Sequence, residues 1–191
     1  EIAQCLVGSE MCIRDREDEA IDIPARLAEL AAYLKEKTER LGLPMPRFLM
    51  EPGRSIVADA GMTLYTVGSV KRIPGYKQYA AVDGGMTDNP RYALYQSRYT
   101  VYHAHKSGSM ERFDVVGRCC ESGDIIQPGV ELPGDTCRGD ILAVCTTGAY
   151  NYSMASNYNR LPRPAVVMLT PDRIYEAVRR ETFADLTALD L

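Results

Sequence analysis

The stretch Met62-Thr63-Leu64-Tyr65-Thr66-Val67-Gly68-Ser69-Val70-Lys71 marks the point at which the chain changes to a β pattern. It is long and rich in β-branched and aromatic residues, which favour strands. Shorter runs of the same kind follow it, separated by turns. The further strands predicted from these runs are Tyr79–Val82, Tyr99–His105, Gly139–Val144, Pro164–Leu169 and Arg173–Val178, with turns at Pro74-Gly75, Gly129 and Pro133–Asp135. They predict a mostly antiparallel β-barrel domain over residues 61–191, which ends in a short helix at Glu181–Leu186.

The segment before residue 61 has a mixed pattern. Apolar residues at helical spacing predict a helix over Asp22–Leu41, capped by Asp22 and stopped by Gly42. A short apolar run at Arg47–Met50 predicts a buried strand, which leads through a loop to a second helix at Ile56–Ala60. Helix, strand, loop and helix in this order predict the last repeat of a (β/α)8 barrel over residues 17–60. The expected fold class is therefore α+β.

The loop Glu51-Pro52-Gly53-Arg54-Ser55 stands where the predicted strand meets the predicted helix. Gly53 lets a ligand approach the backbone, free N–H groups at a helix start point outward, and Arg54 adds positive charge. The loop is therefore a candidate anion site. A tight turn with a surface arginine is the alternative.

Residues 1–16 differ in character from the rest of the chain. The run Leu6-Val7-Gly8-Ser9-Glu10-Met11-Cys12-Ile13-Arg14-Asp15 resembles the conceptual translation of a transposon-type sequencing adapter. We expect residues 1–16 to be a non-native segment joined to a truncated coding sequence. The alternative is a natural N-terminal strand and turn.

Composition excludes several classes of function. The chain has 191 residues, 46% of them hydrophobic, and a net charge of −4, with no basic stripe that would suit nucleic acid. No apolar run is long enough to span a bilayer, and no signal-peptide pattern is present. The six cysteines form no CxxC pair and no secreted disulfide framework. These features favour a reduced cytoplasmic protein.

A thiol and a carboxylate stand side by side in Gly117-Arg118-Cys119-Cys120-Glu121-Ser122-Gly123-Asp124. Cys120 is a candidate proton donor and Glu121 a candidate ammonium-binding acid, positioned by the Gly-Asp turn that follows. A strand end with a free cysteine packed as a small hydrophobe is the alternative.

Two further pairs of side chains are candidates for ligand binding. Arg91 and Tyr95 are four residues apart on a predicted short helix, so they share one face and can converge on one ligand. An exposed arginine beside a half-buried tyrosine is the alternative. His103 and His105 fall on one face of a strand, but no third metal ligand has a recognisable spacing, so no metal is expected.

Several motifs, in this order along the chain, resemble the C-terminal part of the diaminopimelate decarboxylase family. They cover about residues 20–191, and the ordered set is specific although each motif alone is weak. The motifs are Glu51-Pro52-Gly53-Arg54-Ser55-Ile56-Val57, Val82-Asp83-Gly84-Gly85-Met86, Arg91-Tyr92-Ala93-Leu94-Tyr95, Cys120-Glu121-Ser122-Gly123-Asp124, Gly148-Ala149-Tyr150 and Arg180-Glu181-Thr182.

The resemblance implies a pyridoxal 5'-phosphate (PLP) enzyme of the alanine-racemase-like fold that converts meso-2,6-diaminopimelate to L-lysine and CO2. It also implies a homodimer in which the β-domain of one subunit completes the active site of the other. The implied roles are phosphate binding by Glu51, Pro52, Gly53 and Arg54, carboxylate binding by Arg54, Arg91 and Tyr95, ammonium binding by Glu121, proton donation by Cys120, and contact with both PLP and substrate by Tyr150.

The chain departs from this family at two points. Tyr92 follows Arg91 where the family usually has proline, which bears on the position of Arg91. PLP chemistry needs a Schiff-base lysine, and none of the lysines has the family's context. The lysines are Lys35, Lys37, Lys71, Lys77 and Lys106. We therefore expect this chain alone to lack decarboxylase activity and, with one barrel strand unpaired, to fold poorly.

Two alternatives remain at this stage. One is a related decarboxylase of ornithine, arginine or carboxynorspermidine. Glu121 followed by Ser122-Gly123, together with Arg91, favours diaminopimelate over these substrates. The other is a non-catalytic β-domain that serves in dimerisation or binding, which the missing lysine supports.

Overall fold

The structure is a computed structural model that describes residues 22–49, 51 and 53–191. It contains two compact units, one within Glu17–Pro52 and one that includes Gly53–Leu191. The expectation for residues 1–16 lies outside the described residues, as do Met50 and Pro52. The domain boundaries given above stay a prediction.

The first unit contains helix α1, Ile23–Arg40, as predicted. The Asp22 side chain accepts a hydrogen bond from the backbone N–H of Ala25 at 3.0 Å, which satisfies one of the donors left open at a helix start. After the helix, Gly42 takes a φ of +63°, a conformation that glycine adopts without strain. The sequence therefore specifies both ends of α1.

The strand predicted at Arg47–Met50 is wrong for the residues that are described. Residues 47–49 have no regular secondary structure, and Phe48 and Leu49 are exposed, Leu49 to 74%. A strand exists only through hydrogen bonds to a neighbour, and none of the described strands pairs with this segment. The apolar pattern alone did not reveal this missing partner.

The second unit begins with helix α2, Arg54–Val57, and a 3₁₀ turn at Ala58–Ala60, and it later contains the short helices α3, Arg91–Tyr95, and α4, Phe183–Thr187. Its main sheet has the strand order β3-β6-β1-β2-β4-β5. These strands are β1 Met62–Ile73, β2 Lys77–Val82, β3 Val101–His103, β4 Met110–Val116, β5 Ile125–Pro133 and β6 Ile141–Cys145.

All neighbours in this sheet are antiparallel except β2 and β4, which are parallel. The first and last strands, β3 and β5, lie against each other, so the sheet is nearly closed. A separate antiparallel pair follows, formed by β7, Val166–Leu169, and β8, Ile174–Val178. The prediction of an α+β chain with a mostly antiparallel sheet domain is confirmed at this level. The preceding barrel is not seen.

The core follows the two-residue period of the strands. On β1, Tyr65 and Val67 are buried, whereas Met62 and Leu64 are exposed. The other strands contribute buried side chains in the same way, and burial of each valine, leucine, isoleucine or phenylalanine among them stabilises the fold by roughly 1.5–3 kcal/mol. These core residues are Ala80, Val82, Val101, Phe113, Val115, Ile126, Val130, Leu132, Leu142 and Val144.

The turn predicted at Gly129 is wrong, because Gly129 lies inside β5. Its φ is +67°, and its N–H donates to Asp114 Oδ1 at 2.8 Å. The register between β4 and β5 shifts on either side of Val115, so this pair of strands is irregular. Pro128 and Gly129 mark that irregularity in a strand rather than its end.

Candidate active site

Helix α3 places Arg91 and Tyr95 on one face, as their spacing predicts. The Cζ atom of Arg91 lies 5.2 Å from the centroid of the Tyr95 ring and 5.1 Å from that of Tyr150. Arg91 is only 1% exposed, so the alternative of a surface arginine is wrong. The two rings partly replace the water that the guanidinium loses on burial.

The guanidinium of Arg91 has no carboxylate partner among the described residues. One terminal nitrogen lies 3.4 Å from the Ser97 hydroxyl, and the buried Nε has no hydrogen-bond partner. Two residues earlier, both polar side-chain atoms of the buried Asn89 also lack a partner. Burying an uncompensated charge is costly, so this arrangement suits an anionic ligand.

Gly53 and Tyr150 approach each other closely. A Cβ atom on Gly53 would overlap the Tyr150 hydroxyl, so a larger residue has no room there. Tyr150 has a φ of +71°, which is uncommon for a residue other than glycine. The structure therefore brings Gly53, Tyr150 and Arg91 to one place.

Arg54 is buried beside this cluster. Its Cζ atom lies 5.6 Å from the centroid of the Tyr99 ring, and the Tyr99 hydroxyl donates to Asn151 Oδ1 at 3.4 Å. Asn151 directly follows Tyr150. Glu51 belongs to the other unit, and Pro52 lies outside the described residues.

The loop Gly117–Asp124 is organised around the Asp124 carboxylate, which is buried. This carboxylate accepts hydrogen bonds from the backbone N–H groups of Cys119 and Met86, each at 2.6 Å. A Cβ atom on Gly117 would overlap it, and one on Gly85 would lie 2.6 Å from it. The Asp124 carboxylate thus leaves room only for glycine at both Gly85 and Gly117.

Cys120 and Glu121 lie on the exposed surface of this loop. The Cys120 N–H donates to Asn159 Oδ1 at 2.7 Å, and the Tyr158 hydroxyl donates to Glu121 Oε2 at 3.3 Å. Hydrogen bonds from Gly123, Ser122 and Tyr158 lower the pKa of Glu121 below its usual value. Glu121 is therefore ionised at neutral pH and suited to a cationic ligand.

The neighbouring Cys119 is partly buried, whereas Cys120 is exposed. Burial, together with the Asp124 charge, raises the pKa of Cys119. Its thiolate is thus disfavoured, and Cys119 is the poorer candidate for thiol chemistry.

Among the described residues, no hydrogen bond or ring contact joins the two groups of candidates. The hydrogen bonds of Cys120 and Glu121 run within their own loop and to Tyr158–Asn159. The described contacts of Arg91, Tyr95 and Tyr150 lie in the other group. Sequence reasoning identified both groups but did not identify Asp124, Tyr158 or Asn159 as their supports.

Lys77, Lys106 and His103 have structural partners. Lys77 pairs with Asp114 at 2.6 Å, and Lys106 pairs with Asp140 at 2.8 Å. His103 Nδ1 accepts hydrogen bonds from the N–H groups of His105 and Lys106. No group of His, Cys, Asp and Glu within the described part of the chain could hold a metal ion.

A surface cleft of about 880 Å³ lies elsewhere, at the turn between β1 and β2. Several of its polar groups are already engaged, since Gln78 Nε2 donates to Glu111 at 2.7 Å and Arg72 donates to the Gly134 carbonyl at 2.6 Å. It contains none of the candidate residues, so its size does not make it the active site. Among the described helices, none is both long and apolar enough to cross a bilayer.

The nearly closed sheet, the buried arginines Arg54 and Arg91, and the exposed loop with Cys120 and Glu121 belong to one class of protein, the sheet domain of pyridoxal-dependent decarboxylases. The chain belongs to the family described as "Pyridoxal-dependent decarboxylase, C-terminal sheet domain", whose model matches residues 11–148. The diaminopimelate decarboxylase of Bacillus subtilis (strain 168) is 48% identical to it over 177 residues, which are 92% of this chain and 40% of that protein.

Solved structures agree with this assignment. The diaminopimelate decarboxylase of M. jannaschii in complex with L-lysine superposes with a TM-score of 0.83 at 34% identity, over 94% of this chain and 41% of that one. The Helicobacter pylori enzyme complexed with L-lysine has a TM-score of 0.77 at 32% identity, over 93% of this chain and 42% of that one. The chain thus spans about two fifths of the proteins that it matches.

Proposed function

We propose that this chain is the C-terminal part of a diaminopimelate decarboxylase, which converts meso-2,6-diaminopimelate to L-lysine and CO2 with PLP. The observation that carries this proposal is Arg91, a fully buried guanidinium that lies near two tyrosine rings and has no carboxylate partner in the part of the chain that the structure describes. A substrate carboxylate supplies the missing negative charge. The similarity to named diaminopimelate decarboxylases supports the same substrate.

The residues around Gly53 fit part of a PLP site. The Gly53 backbone lies against the Tyr150 hydroxyl, and the buried Arg54 follows directly, so a phosphate held here would be near both a hydroxyl donor and a cation. Glu51, Pro52, Gly53 and Arg54 would hold the phosphate, and Tyr150 would contact both cofactor and substrate. When bound, PLP supplies an electron sink for the bond that breaks. A lysine outside this chain would anchor it.

The two groups of charged residues match the two ends of the substrate. Arg54, Arg91 and Tyr95 would bind a carboxylate, and the ionised Glu121 would bind the distal ammonium. Cys120 would return a proton to the substrate carbon that loses CO2. A diamine-type substrate has no distal carboxylate and needs fewer arginines, so diaminopimelate fits this pattern better.

The separation of the two groups favours a homodimer. Cys120 and Glu121 lie on an exposed loop, and their hydrogen bonds run to Asn159 and Tyr158 rather than to Arg91 or Tyr150. We infer that this loop completes the site of a second subunit. The free thiols of Cys119, Cys120 and Cys137 are consistent with a reduced cytoplasmic setting.

The proposal is tested on the full-length protein, recovered by amplifying upstream from the codons of Arg47–Arg54 and loaded with PLP. We expect CO2 release from meso-diaminopimelate and none from ornithine, arginine or lysine. The 191-residue chain assayed alone is expected to be inactive. Cys120→Ala should lower kcat by at least 100-fold, while Cys137→Ala, at another exposed cysteine, should leave kcat unchanged.

Glu121→Gln should raise the KM for diaminopimelate by at least 10-fold, because the distal ammonium loses its counter-charge. Size-exclusion chromatography of the same protein should give a dimer. Preferred turnover of ornithine or arginine, or an active Cys120→Ala variant, would contradict the proposal.

A further inference from the structure

The motif Arg180-Glu181-Thr182 has no role in the chemistry proposed above, yet Glu181 makes a dense set of contacts. Its Oε2 accepts hydrogen bonds from Asn157 Nδ2 at 2.6 Å and from the Arg163 N–H at 2.8 Å. Its Oε1 accepts from Arg163 Nε at 2.8 Å and from the Arg163 terminal nitrogen at 2.5 Å. The Glu181 N–H also donates to the Arg163 carbonyl at 3.2 Å. Glu181 thus binds both ends of the segment 157–163.

These contacts keep Glu181 charged. Its side chain is only 16% exposed, and hydrogen bonds from Arg163 lower the pKa of Glu181 to about 2. Each of the two carboxylate oxygens accepts hydrogen bonds from two donors. A glutamine has nearly the same shape, but its NH2 group would face a donor on one of the two sides, so it cannot replace the carboxylate.

The segment 157–163, which Glu181 binds, also contacts the loop that carries Cys120 and Glu121. Asn159 accepts the N–H of Cys120, and Tyr158 donates to Glu121. Asn159 and Arg160 have φ values of 56° and 57°, so two successive non-glycine residues are left-handed. Residues other than glycine adopt this conformation rarely and need surrounding contacts that hold it.

We propose that Glu181 is a positioning residue for Cys120 and Glu121, acting through the segment 157–163. Glu181 fixes the two ends of this segment, and the fixed segment presents Asn159 and Tyr158 to the loop that carries the thiol and the acid. The consequence for catalysis rests on the proposed decarboxylase function. The effect of Glu181 on the position of the loop does not depend on that function.

The kinetic test uses the full-length, PLP-loaded protein and the variants Glu181→Gln, Asn159→Ala and their combination. We expect kcat/KM for diaminopimelate to fall at least 10-fold in each single variant. The double variant should lose less than threefold more, because both changes release the same loop. Independent, multiplicative losses would contradict the proposed route through Asn159.

The matched control is Asp185→Asn. Asp185 forms an ion pair with Arg179 at 2.8 Å and accepts hydrogen bonds from Thr182. The Asp185→Asn variant therefore loses the same kind of interaction as Glu181→Gln, at a position four residues away. None of these partners lies in segment 157–163. Asp185→Asn should lower the melting temperature but leave kcat/KM unchanged within twofold.

Amide hydrogen exchange provides a readout that does not depend on activity. In Glu181→Gln, exchange should accelerate in peptides covering 157–163 and 118–123, but not in peptides covering β6. Unchanged exchange at 118–123 would overturn the proposal, as would acceleration throughout the sheet domain. If the wild-type protein does not decarboxylate diaminopimelate, the proposed function fails, while the exchange result still decides the role of Glu181.

Discussion

The buried Asp124 carboxylate accepts the backbone N–H of Cys119 at 2.6 Å, directly before Cys120. The same carboxylate accepts the N–H of Met86, so it ties the thiol-bearing loop to the segment that leads into α3. Hydrogen bonds to a charged acceptor stabilise proteins more than neutral ones do. Asp124 is therefore a structural centre for residues proposed to act in two different parts of the site.

Asp124→Asn should destabilise the chain by about 2–3 kcal/mol, because the amide can accept one of the two N–H groups but presents a donor to the other. Urea unfolding of the protein would measure this loss. The control is Asp135→Asn, at an exposed carboxylate 3.8 Å from Lys106, which should cost less than about 0.5 kcal/mol. Equal losses in the two variants would show that Asp124 has no special role.

Gly117→Ala should be at least as damaging as Asp124→Asn, since the new methyl group overlaps the Asp124 carboxylate. We expect a loss of about 2–4 kcal/mol from the displaced hydrogen bonds and the overpacking. Gly123→Ala is the matched control, because a Cβ atom there meets nothing within 4 Å. Melting temperatures of both variants would decide the point, and a stable Gly117→Ala protein would be the contrary result.

Much of the fold was predictable from local signals. The Asp22 cap and Gly42 stop define α1, and the long β-branched run gives β1. The four-residue spacing of Arg91 and Tyr95 correctly predicted that they share one face of α3. These signals act over a few residues, so the sequence carries them directly.

The features that the sequence did not reveal depend on distant partners. Strand β5 contains Pro128 and Gly129, which resemble a turn until the irregular pairing with β4 is known. Asp124 lies within the thiol loop, but the other supports lie far along the chain, with Asn159 39 residues after Cys120. Hydrogen bonds over such separations leave no periodic trace in a single sequence. Asn159 has a left-handed backbone conformation, which asparagine adopts more readily than most other residues.

The pair Tyr65 and Asp88 should make stability depend on pH. Burial raises the pKa of Asp88, although a hydrogen bond from the Tyr65 hydroxyl opposes the rise. Because its folded-state pKa lies above the unfolded value, the ionised carboxylate costs folding free energy above that pKa. This cost disappears as the pH falls through the folded pKa towards the unfolded value near 4.

Tyr65→Phe removes the donor that stabilises the ionised form, so it should cost about 1.5–3 kcal/mol at pH 7 and less near pH 4. Urea unfolding across this pH range would measure the difference, with Tyr76→Phe, at an exposed tyrosine, as the control. A penalty for Tyr65→Phe that stays constant with pH would show that Asp88 does not titrate as inferred.

The buried guanidinium of Arg91 should lower stability in the absence of a ligand. Desolvating such a charge costs several kcal/mol, and the Tyr95 and Tyr150 rings offset only part of this cost. Arg91→Met fills a similar volume without the charge, so it should raise the free energy of unfolding by about 1–2 kcal/mol.

In the full-length protein, the same change should raise the KM for diaminopimelate at least 10-fold. The exposed Arg98→Met is the control for both measurements and should change neither. If Arg91→Met weakens the unliganded fold, Arg91 serves the structure rather than an anionic ligand, and the proposed carboxylate site must lie elsewhere.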